Sequence, residues 1–121
     1  MPKFIISFGA RAMDHIPDEE FSAVADCAHA VIQEILDAGA YIFAGGLENR
    51  KATVVATNGT VSNGLEPDTI GGFTIVDVSS REEALVWAAK IAVACRCPQE
   101  VWEIQHDPQL NAMVQQAAPR I

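Results

Sequence analysis

The sequence predicts an α+β fold in which an antiparallel sheet carries two helices on one face, and three observations predict it. Residues 71–78, Gly-Gly-Phe-Thr-Ile-Val-Asp-Val, alternate as a strand and run directly into an amphipathic helix. A strand-helix-strand pattern of the same kind already stands in the first half, over residues 3–47. The 121 residues, half of them apolar, suffice for one core and are too few for two. One domain spanning 1–121 is expected, with its core over about 3–105 and a helical tail over about 107–118.

Lys3 to Gly9 forms the first strand, with Phe4, Ile6 and Phe8 on one face and Ile5 and Ser7 on the other. A polar loop from Ala10 to Ile16 leads to Pro17, and Asp18, Glu19 and Glu20 make an acidic helix start. Phe21, Val24, Ala25, Ala28, Ile32, Ile35 and Leu36 then share one side of a helix, and Gly39 stands where its C-terminal cap belongs. Tyr41 to Leu47 is the next strand and Ala52 to Thr57 another. Asn58-Gly59 supplies a two-residue hairpin turn that folds Thr60 to Ser62 back on its partner. After a loop to Thr69 come the strand Gly72–Val78 and a helix from Arg81 to about Ala94, with Ser80 and Glu83 spaced as a capping box. Glu100 to Gln105 is the last core strand.

This order is a doubled split unit, the ferredoxin-like arrangement, with both helices on one face of the sheet. Simple alternation points Tyr41 and Phe43 one way and Ile42 and Ala44 the other, while Phe73 and Ile75 oppose Thr74, Val76 and Val78. Both faces are therefore apolar. A monomer leaves one of them in water, so a homodimer formed sheet to sheet is expected. The alternative is the tail: Asp107-Pro108 opens a helix whose Leu110, Met113, Val114 and Ala117 form a short stripe able to cover this sheet or a neighbour's.

The composition narrows the function classes. A net charge of −8, with eight basic residues scattered from Lys3 to Arg120, argues against a nucleic-acid partner. No apolar run reaches membrane-span length and the first residues lack the order of a secretory signal, so no membrane and a cytoplasmic location are expected. Cys27, Cys95 and Cys97 are read as reduced thiols, the last two at a helix end. His15, His29 and His106 show no metal-ligand spacing with carboxylates, and no metal is expected. Gly9, Gly45-Gly46 and Gly71-Gly72 lack the spacing of a phosphate cradle, and no cofactor is expected.

The run Gly71–Val78 followed by Glu83-Ala84-Leu85-Val86-Trp87-Ala88-Ala89 resembles the YCII-related family, particularly its DGPF branch. Asp18-Glu19-Glu20, His29, Ala38-Gly39, Gly46-Leu47 and Thr53-Val54-Val55 carry the same resemblance through the first half. It covers about residues 3–105. The chain departs from the branch at Asn63-Gly64-Leu65-Glu66-Pro67-Asp68, where relatives carry Asp-Gly-Pro-Phe and a Lys-bearing loop, and at Trp102, where they carry Arg. The resemblance implies a dimeric α+β barrel and an active pair made of a His, matched by His29, and an acid.

Read from its own position, His29 lies at the border of the apolar helix stripe, about 100° from Ala28. There an imidazole serves a cleft as general acid or base, or is simply hydrogen-bonded to Asp26 or Gln33. Asp14 and His15, in the loop after the first strand, are a second candidate. Asp68 and Glu66 are candidate acidic partners, and Asn63 can hydrogen-bond but cannot act as a base. Trp102 offers a flat surface either to an apolar ligand beside His29 or to the tail. Two functions compete. One is a small acid–base enzyme acting on an organic acid or lactone through His29 with Asp14, Asp68 or Glu66. The other is a non-catalytic dimeric module that binds a small ligand or a protein partner.

Overall fold

The computed structural model describes residues 1–48, 52–64 and 70–117. The fold is α+β, with three helices and a four-stranded sheet. Strands β1 (Lys3–Gly9), β2 (Tyr41–Gly46), β5 (Ile70–Asp77) and β6 (Glu100–Glu103) lie in the order β2-β5-β1-β6, each neighbouring pair antiparallel. β3 (Thr53–Val55) and β4 (Val61–Asn63) pair as a separate hairpin outside this sheet. Helices α1 (Phe21–Asp37) and α2 (Arg81–Cys95) pack on the sheet face that carries Phe4, Ile6 and Val76, where Val31, Ile35, Ala84, Ala88 and Ile91 complete the core. Among the described residues, no helix is long and apolar enough to cross a membrane.

Local chemistry sets the element ends. The acidic run Asp18–Glu20 forms a single 3-10 turn ahead of α1, and Arg96 from the far end of α2 pairs with Glu20. Gly39, at φ +72°, ends α1: its N–H donates to Leu36 O at 3.0 Å and the next N–H, of Ala40, to Ile35 O at 3.1 Å. These two bonds satisfy carbonyls the helix leaves open. Ser80 caps α2 by accepting from Glu83 N–H at 3.2 Å. The return bond of the box goes one residue further back, Glu83 Oε1 accepting from Ser79 N–H and Ser79 Oγ.

Two expectations of detail are corrected by the backbone. The β3–β4 turn has three residues, not two: Ala56 N–H bonds Thr60 O, Gly59 N–H bonds Ala56 O, and only Gly59 takes a positive φ. Asn58 supplies a side-chain bond to Thr60 N–H instead. In β2 a register shift places Tyr41 opposite Val76 but Phe43 opposite Ile75. Tyr41 and Phe43 therefore do not share a face. The extra residue flips the alternation, sending Tyr41 under the helices and Phe43 to the open side.

The open side carries Ile5, Phe43, Phe73, Ile75 and Trp102, with the Phe43 and Phe73 rings 5.9 Å apart. Phe43 is 58% exposed and Trp102 62%. The tail does form a helix, α3 (Pro108–Ala117), capped by Asp107 Oδ1 on Leu110 N–H at 2.9 Å. It covers nothing on its own sheet. None of its residues is buried, and Leu110, Met113 and Val114 all stay exposed.

Candidate functional site

One side of α1 faces α2, where Lys90 Nζ and Glu34 Oε1 form an ion pair at 2.8 Å across the two helices. The opposite side overhangs the β2 end of the sheet. The narrow overlap leaves a cavity of about 390 Å³ between them. Phe21, Ala25, Ala28, His29 and Ile32 descend into it from α1, and Phe8 and Met13 come from β1 and its following loop. Tyr41, Ala44 and Thr74 form the sheet wall, and Ile91 and Cys95 from α2, with Gln99 just past it, complete the lining.

The two glycines at the start of β5 shape this wall. A Cβ on Gly72 would sit 2.6 Å from Phe8 Cζ, and one on Gly71 would sit 2.9 Å from Gly9 O. Phe8 can lie flat across β5 only because neither position has a side chain. The Gly-Gly pair thus serves ring packing at the cavity rim.

The cavity is apolar with few polar atoms. Among the described residues that line it there is no Lys, Arg, Asp or Glu. His29 is exposed at the mouth, and its imidazole has no hydrogen-bond partner among the described residues. Neither neighbour proposed from helix spacing holds it, and Gln33 instead donates to Asp37 at 2.9 Å. The Tyr41 hydroxyl accepts from Ala44 N–H at 3.2 Å and keeps its own proton to donate. Gln99 Nε2 donates to Cys97 O at 3.3 Å. Burial, and next the nearby Cys97, push the Cys95 thiol above its ordinary pKa, so it stays a neutral thiol at pH 7.

Thr74 is the polar group that sequence reading passed over as a candidate. It is only 7% exposed, its register partners are Ile6 and Ala44, and its hydroxyl has no protein hydrogen-bond partner among the described residues. Among the described residues Asp77 Oδ1 is the one fully buried side-chain polar atom without a hydrogen-bond partner, so Thr74 Oγ1 is open to the cavity rather than sealed in the core. The signal was present in the sequence: Thr74 falls on the same face as Val76 and Val78.

Of the candidate site residues singled out from the sequence, His29 is the one that the structure brings to the cavity among the described residues. Asp14 sits beyond Met13 in the loop after β1, where it accepts from Arg11 Nε at 3.1 Å, and His15 beside it is exposed. Neither lines the cavity. Asn63 is in the separate hairpin, opposite Thr53. Trp102 pairs with Ile5 on the open face, so the sheet itself separates it from His29, and it packs against neither a shared cleft nor the core. Glu66 and Asp68 lie outside the described residues. Among the described residues no group of His, Cys, Asp and Glu is placed to hold a metal ion.

No family model matches this chain, and no curated protein matches it.

Proposed function

We propose that this chain is a small-molecule-binding protein whose ligand occupies the cavity between α1 and the β2 end of the sheet. One observation carries the reading: about 390 Å³ of apolar space, within the range of small-ligand pockets, opens beside an unpartnered imidazole. Titrating the 15N-labelled protein with a library of small aromatic and lactone fragments tests it. Amide shifts are expected to cluster on α1 around His29 and on β2 and β5 around Tyr41 and Thr74. Shifts confined to the open sheet face, or none at all, would overturn it.

The position of His29 favours a second reading, acid–base catalysis on the bound molecule. An imidazole without a protein partner at the mouth of an apolar site is placed to act as general acid or base on a bound molecule, and a lactone suits a lining without cations better than an organic acid does. Isomerase or hydrolase turnover lost in His29→Ala, with fragment binding retained, is the expected result. Equal turnover in both proteins would remove His29 from the chemistry, and no turnover in either would leave binding as the whole function.

We further propose that the fold is ferredoxin-like, that the chain belongs with the YCII-related proteins it resembles, and that it forms a homodimer through the open face. The strand order β2-β5-β1-β6 with α1 and α2 on one side supports the first. The Gly71–Val78 and Glu83–Ala89 runs support the second, and exposed Phe43 and Trp102 the third. The DGPF-type loop, replaced here by Asn63–Asp68, contributes no part of this proposal.

A further inference from the structure

We infer that the ligand is an uncharged one- or two-ring aromatic molecule bearing a hydroxyl or carbonyl oxygen, and that Thr74 Oγ1 is the group that selects that oxygen. The inference rests on the cavity being a binding site and names what it takes. Three features carry it. The walls supplied by Phe8, Phe21, Tyr41 and Met13 are flat and apolar, suited to rings. The described lining holds no charged side chain of either sign apart from what His29 can carry at the exposed mouth. A carboxylate deep in this cavity would therefore lose its water without gaining a cation.

The third feature is Thr74. Its position on β5 lies between Gly72 and Val76 on the helix-facing side, opposite Ile6 on one neighbour and Ala44 on the other. Its register partners are apolar, and the hydroxyl finds no protein partner among the described residues. A hydroxyl both donates and accepts, so it matches a phenolic O–H and a ketone oxygen equally well. The Tyr41 hydroxyl, already accepting from Ala44, adds a donor on the same wall. A ring seated between Phe8 and α1 with its oxygen toward the sheet satisfies both. His29 then stands at the opposite, solvent side, where a second substituent of the ligand would emerge.

Three matched probes test this with the full chain at pH 7: naphthalene, 2-naphthol and 2-naphthoate, with dissociation constants from intrinsic fluorescence and 15N shifts. The expected order is 2-naphthol tightest, naphthalene next and 2-naphthoate weakest. Thr74→Val is expected to weaken 2-naphthol about 5- to 10-fold, the worth of one neutral hydrogen bond, while leaving naphthalene unchanged. A general repacking of the wall would move both probes together and would overturn the role of Thr74. Naphthoate binding as tightly as naphthol would overturn the uncharged class while leaving the cavity as a site. Failure of all three probes to shift cavity amides would overturn the binding reading itself.

Discussion

Two positions on β5, Gly72 and Thr74, hold the tightest constraints on single residues. Gly72→Ala places a methyl 2.6 Å from the Phe8 ring, so either the ring moves into the cavity or the strands part. A loss of about 1–3 kcal/mol is expected from such overpacking, read as a lower urea midpoint, together with weaker binding of any aromatic probe. Thr74→Val is expected to do the opposite for the empty protein, raising its stability slightly, by about 0.5 kcal/mol or less, because a hydroxyl that opens to the cavity is exchanged for a methyl of the same shape. A variant that gains stability and loses ligand discrimination is the signature of a residue kept for binding. Urea unfolding at fixed protein concentration checks both.

At the scale of elements, the start of α2 carries a pH-dependent cap. Glu83 Oε1 accepts from the side chain of Ser79 and then from its backbone N–H, and these bonds lower the Glu83 pKa below its ordinary value. A carboxylate depressed in the folded state adds stability that is present above its unfolded pKa and lost as pH falls through the folded one. Comparing wild type with Glu83→Gln should therefore show a gap in melting temperature above about pH 5 that closes toward about pH 3. A gap independent of pH would mean the charge plays no part. α3 gives the contrasting case. With no residue buried, truncation after His106 is expected to change the stability of the isolated subunit by less than about 0.5 kcal/mol. Any larger loss should depend on protein concentration, which would place the tail on a neighbouring subunit.

For the whole molecule the unresolved tension is a two-faced apolar sheet with helices on one side only. Phe43, Trp102 and the half-buried Ile5, Phe73 and Ile75 form a continuous patch, of a kind that marks an interaction surface on soluble proteins. Light scattering is expected to return twice the 13.0 kDa chain mass. Phe43→Glu with Trp102→Glu should return the single-chain mass with the far-ultraviolet circular dichroism retained. A wild-type protein that is already monomeric at high concentration would show that the patch is not a self-association surface. The cavity lies on the other face, under α1, so fragment binding is expected to survive the double substitution.

Local periodicity and end chemistry determined the elements from sequence alone. The helix of α1, Gly39 at its end, the Ser80 cap, the alternation of β5 and the Asp107-Pro108 start of α3 each act within a few residues, and each stands where the sequence placed it. The buried stripe of α1 is narrower than expected, with Phe21, Ala25 and Leu36 exposed and Val31 joining Val24 and Ile35 in the core. His29 at the edge of the α1 stripe was legible for the same reason. Tertiary structure decided everything that depends on register or on distant partners. The extra residue in β2 turned Phe43 away from Tyr41, a shift that hydrophobic pattern cannot signal because both faces of that strand are apolar. Pairing of β6 with β1 put Trp102 across the sheet from His29, and only the assembled packing of α1 over β5 turned Thr74, one threonine on an apolar strand, into the lone unpartnered hydroxyl on the sheet wall of the cavity among the described residues.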